Sequence, residues 1–67
     1  MKLRSVINQI PSQQIVEVKH YLDHNTITRG FAYEISLELD HDCDLAHNEV
    51  YRLMADKNTL IIETMPE

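Results

Sequence analysis

From Ile27 to Asp40 apolar and polar positions alternate along the chain. Ile27, Arg29, Phe31, Tyr33, Ile35, Leu37 and Leu39 are interleaved with Thr28, Gly30, Ala32, Glu34, Ser36, Glu38 and Asp40. Successive side chains in a strand point to opposite faces, so this pattern predicts one long, half-buried strand with its odd positions on a core. Residues 15–22 also read as a strand. Ile15, Val16 and Val18 are β-branched and stiff at χ1, although Ile15, Val18 and Leu22 fit a helical stripe as well. A four-residue loop from Asp23 to Thr26 would pair the two segments as a hairpin, with Leu22 opposite Ile27, Val18 opposite Phe31 and Val16 opposite Tyr33. The same register sets His20 against Arg29. A three-residue loop would place the apolar sets on opposite faces, so the first register is expected.

Beyond Asp40 the period changes. Asp42 is suited to N-cap a helix running to about Lys57, with Asp44 where the helix macrodipole favours a carboxylate. At 100° per residue, Val50, Leu53, Ala46, Lys57, Cys43, Met54 and His47 share one arc, while Glu49, Arg52, Asp56, Asn48 and Asp44 share the other. Asn58 suits the left-handed position that ends such a helix. Thr59 to Met65 then reads as a final strand stopped by Pro66. Residues 1–11 form an arm or a short helix, since Leu3, Val6, Ile7 and Ile10 have helical spacing and Pro11 ends it. The expectation is one α+β domain over residues 1–67, in the order (arm or helix)-β-β-α-β. Its three-stranded sheet would carry one helix on one face, and the right-handed crossover rule runs the last strand parallel to the second.

Composition narrows the class without naming a function. The 67 residues are 43% hydrophobic with one Gly and two Pro, which excludes a disordered tail and a collagen-like chain. The longest aliphatic run is Leu60-Ile61-Ile62, far short of a membrane span, and the start lacks the apolar region of a secretory signal. The single cysteine, Cys43, cannot form an internal disulfide, so a reducing cytoplasmic location is expected.

Charge changes the picture more. Eleven Asp and Glu against six Lys and Arg leave a net charge of −5, and residues 34–67 hold most of the acids. Glu34, Glu38, Asp40, Asp44 and Glu49 fall in a stretch with no Lys or Arg and are the candidate partner-binding residues. Such a stretch is either a solvated face that keeps the protein soluble or a docking surface for a partner with a basic surface. It repels phosphate, which makes nucleic acid an unlikely partner for this half. The first half carries Lys2, Arg4, Lys19 and Arg29 with Tyr21 nearby, a thin basic patch that supports a nucleic-acid-associated regulator only as an alternative.

Signatures of catalysis and of cofactor binding are missing. The chain has no Walker loop, G-x-G-x-x-G, H-E-x-x-H, C-x-x-C or G-x-S-x-G, so no enzyme and no cofactor are expected. One pattern has metal character: His41, Cys43 and His47, with Cys43 and His47 one helical turn apart. It supplies three ligands and no paired knuckle. The predicted wheel buries Cys43 as a small hydrophobe, so no metal is expected and a metal- or ligand-binding protein stays the second alternative. The expected function is a small acidic protein-interaction module acting through the β2–helix surface or a sheet edge, a type common among inhibitors encoded by phages and mobile elements. A homodimer is also expected to be possible, because an unbroken strand over 27–39 would be about 40 Å long and leave Ser36 to Asp40 unpaired.

Overall fold

The structure, a computed structural model, describes residues 1–66. Its elements are α1 (Leu3–Ile7), β1 (Ile15–His20), β2 (Thr26–Phe31), α2 (Ala32–His41), α3 (Cys43–Ala46), β3 (Glu49–Asp56) and β4 (Thr59–Met65). The fold class is α+β, but among the described residues there are four strands and three helices where three strands and one helix were expected. Two antiparallel hairpins, β1–β2 and β3–β4, lie side by side in the order β2-β1-β4-β3, and the inner strands β1 and β4 run parallel.

The alternating stretch is a strand only as far as Phe31. Residues 32–41 form α2, which buries Ala32, Ile35 and Leu39 at helical spacing and turns Tyr33 and Leu37 outward. Ala, Leu and Glu are strong helix formers, and Glu34 fixes the start of the helix: its Oε1 accepts the Phe31 N–H at 3.0 Å. The Ala32 N–H donates to the Gln14 carbonyl at 2.8 Å, tying that start to the sheet. Because Ser36 to Asp40 is helical, it presents no strand edge, and the basis for self-association through a long β2 is gone.

The second difference is the reverse. Residues 49–56, expected on a helix from 42 to 57, form β3, and only Cys43–Ala46 is helical. Asp42 does cap that short helix, accepting the Leu45 N–H at 3.1 Å. Asp56 faces Thr59, so Lys57 and Asn58 form a two-residue hairpin turn with Lys57 at φ 57°. This hairpin returns β4 beside β1, so the last strand is parallel to β1 and not to β2.

The β1–β2 register also differs from the expected one. Val16 faces Gly30, Glu17 faces Arg29 and Val18 faces Thr28, so His20 does not meet Arg29. The turn takes in residues 21–25, closed by the Asp23 side chain accepting the Asn25 N–H at 3.0 Å and by His24 at φ 61°. His20 stands instead beside Thr64 of β4.

The core lies on one face of the sheet. Val16 and Val18 of β1 and Ile62 of β4, the register partner of Val18, meet Leu3, Val6 and Ile7 of α1, Ala32, Ile35 and Leu39 of α2, and Ala46 of α3. Strand alternation sends Glu17, Lys19, Arg29, Ile61, Glu63, Arg52 and Met54 to the opposite face, which the helices do not cover. Thr28 Oγ1 donates to Glu38 Oε1 at 2.9 Å and links α2 to the edge strand β2. No described helix is long and apolar enough to cross a membrane.

Candidate functional site

The five acids singled out in the sequence do not form one surface. Glu34 and Glu38 lie one turn apart on α2, next to β2. Asp40 forms an ion pair with Arg4 of α1, whose other terminal nitrogen donates to Ser36 Oγ at 3.1 Å. Asp44 is exposed on α3, and Glu49 meets the terminal amine and the Lys2 ammonium at 2.9 Å each. The hydrogen bond from Lys2, then that from the terminal amine, holds the Glu49 carboxyl down at about 2. Lys2 and Arg4 are therefore committed to acids on the helical side, and the basic patch read from the first half of the chain is split.

Exposed apolar side chains accompany Glu34 and Glu38. Tyr33 is 46% exposed and Leu37 59%, one helical turn apart on the outer side of α2, and the Phe31 ring stacks on Tyr33 at 5.7 Å. Burial inside the protein accounts for none of these three. Phe31 also lines a shallow cleft with Ile15, Arg29, Gly30 and Glu34. The result is an apolar ridge bordered by two carboxylates.

His41, Cys43 and His47 do not converge on a common point. Cys43 is exposed, contrary to the core position read from the helical wheel, because the helix ends at Ala46 and the wheel does not apply. His47 Nδ1 is engaged with the Cys43 carbonyl at 2.7 Å. Among the described residues no three His, Cys, Asp or Glu side chains are placed to hold a metal ion.

A second constellation, which the sequence reading passed over, sits on the helix-free face. Glu63 is 1% exposed, its Oε2 lies 2.7 Å from His24 Nδ1, and its Oε1 has no hydrogen-bond partner among the described residues. Arg52 Nε stands 3.7 Å from that oxygen, and Lys19 is the β1 register neighbour of Glu63. The shift between Val50 and Arg52 inserts Tyr51 as an extra residue in β3, where its ring meets that of Tyr21 at 5.1 Å. Alternation carried one residue past β1 puts Tyr21 on the side of Lys19, so the two rings meet over β4, which separates their strands. A buried carboxylate is costly unless paired, and here it orients an imidazole that is itself 61% exposed. The signal in the sequence was one acid inside the aliphatic run Leu60 to Met65. No family model matches the chain, and no curated protein or solved structure matches it either.

Proposed function

We propose that this chain is a protein-interaction module whose contact surface is the outer side of α2. The observation that carries the reading is the ridge of Phe31, Tyr33 and Leu37, exposed although large and apolar and bordered by Glu34 and Glu38. Contiguous exposed apolar surface with a charged rim is characteristic of binding sites. The partner is a protein with an apolar groove rimmed by Lys or Arg, since the carboxylates steer a basic surface and the ridge supplies buried area. Asp44 lies apart on α3, and Asp40 and Glu49 serve intramolecular ion pairs, so the contact surface is narrower than the acidic stretch of the sequence.

Affinity capture from the source cell, followed by calorimetry with the purified partner, tests this reading. Leu37→Ser combined with Glu38→Lys is expected to weaken binding at least tenfold and leave the far-UV circular dichroism unchanged, because both positions are exposed. A partner held equally well by the double variant overturns the proposal.

A further inference from the structure

The two sides of the molecule treat their cations differently. On the helical side Lys2 and Arg4 are ion-paired with Glu49 and Asp40. On the helix-free face, among the described residues, Lys19 and Arg29 have no side-chain acceptor, and Arg52 has only the 3.7 Å approach to Glu63. Half of the six Lys and Arg residues thus stand on this face, with the Tyr21–Tyr51 pair beside them. The acids of α2 and α3 lie on the other side of the sheet. Of the described acids on this face, Glu17 accepts from Thr26 Oγ1, Glu63 is covered and held by His24 and Arg52, and Asp56 stands at the hairpin end of β3, so Lys19 and Arg29 are left without a paired carboxylate among the described residues.

We propose that the helix-free face binds single-stranded nucleic acid, with Lys19, Arg29 and Arg52 on phosphates and Tyr21 and Tyr51 as the stacking surface for a base. The three cations and the tyrosine pair are spread across the four-stranded sheet, from β2 at one edge to β3 at the other, which suits an extended strand better than a small ligand in one concave site. The cleft that takes in Arg29 lies at the β2 edge with Ile15, Gly30, Phe31 and Glu34, away from the tyrosine pair. A sheet that offers cations and tyrosine rings on one face can hold splayed bases and their backbone together. Duplex bases are stacked on one another and do not reach such rings.

Glu63 is a positioning residue in this site. An apolar side chain would fill its place between Ile61 and Met65 without the penalty of a buried charge. As a carboxylate it holds His24 by Nδ1 and keeps Arg52 close, and among the described residues Nε2 of His24 meets no protein group. His24 adopts a left-handed backbone that few non-glycine residues occupy, which brings its ring to Glu63. His24 then adds a directed hydrogen-bond donor or acceptor beside the Arg52 guanidinium.

The test is fluorescence anisotropy of labelled decauridylate and decathymidylate with the full chain at low and at physiological salt. Wild type is expected to bind, more weakly as salt rises, and to bind the matching duplex at least tenfold more weakly. RNA and DNA arms identify which strand chemistry is preferred. Tyr51→Ala should weaken binding by about fivefold or more, and Lys19→Ala with Arg52→Ala by more than tenfold. Glu63→Gln should weaken it several-fold and change the imidazole ¹⁵N shifts of His24, which a role confined to packing would not do. Asp44→Asn, on α3 and outside both surfaces, should leave it unchanged. No anisotropy change at low salt, equal binding of the duplex, or binding indifferent to Tyr51 and Arg52 overturns the site. Wild-type affinity in Glu63→Gln overturns the positioning role.

Discussion

Ile62 and Glu63 are neighbours in β4 and equally inaccessible, at 0% and 1% exposure, yet they are buried by different means. Ile62 points into the core between sheet and helices, where removal from water is itself the gain. Glu63 points to the other face and is covered by its surroundings there, including His24, itself exposed. Burial on the helical face thus contributes to stability, and burial on the helix-free face opposes it unless the charge is compensated. The contrast separates the part of the molecule that holds the fold from the part organised around polar chemistry.

Two substitutions test that contrast directly. Ile62→Ala should cost about 2–5 kcal/mol in denaturant unfolding, because the fully buried side chain leaves a cavity that its packed neighbours refill only in part. Glu63→Met should stay within about 1 kcal/mol of wild type or exceed it, since the partners it releases are already solvated. Equal losses from the two would erase the distinction between the faces.

The next effect is smaller and concerns compensation. Arg52→Ala should cost about 1 kcal/mol when Glu63 is present, because the carboxylate loses its nearest guanidinium and Arg52 itself is more than half exposed. In a Glu63→Met background the same change should cost close to nothing. A cycle with no coupling would mean that Arg52 leaves Glu63 unaffected.

Glu49 supplies the exposed counterpart to Glu63. Its carboxyl is lowered from the ordinary 4.5 to about 2 in the folded protein, so the contribution of its pairing is complete above 4.5 and is lost as pH falls toward 2. Wild-type melting temperature should therefore drop across that interval. Glu49→Gln should melt slightly lower at neutral pH and show a shallower acid dependence, and identical profiles would show that Lys2 and the terminal amine contribute nothing through this residue.

The errors of sequence reading have physical causes that can be named. The letters from Ala32 to Leu39 satisfy period two and helical spacing at once, and only the core decides between them. Ala32, Ile35 and Leu39 fill it as a helix, at the expense of leaving Tyr33 and Leu37 in water. Val50, Leu53 and Met54 lie on one helical arc, but Val50 and Tyr51 suit a strand, and the hairpin with β4 satisfies their backbone groups. The acidic stretch was visible as a run of charges. Its division into an exposed pair on α2, an exposed Asp44 and two ion-paired residues depended on where Arg4, Lys2 and the amino terminus come to rest.

Legible in the chain alone were the α+β class, strands beginning at Ile15 and at Thr59, the capping role of Asp42 and the concentration of acids after residue 33. These follow from local propensity and from side-chain chemistry, which every residue carries with it. Tertiary structure alone decided that His24, Arg52 and Glu63 meet, although they are separated by up to 39 positions in the chain. It also decided which cations are spent on internal pairs. Register and strand order set both, and a shift of one residue in β4 would have turned Glu63 into the core and Ile62 away from it.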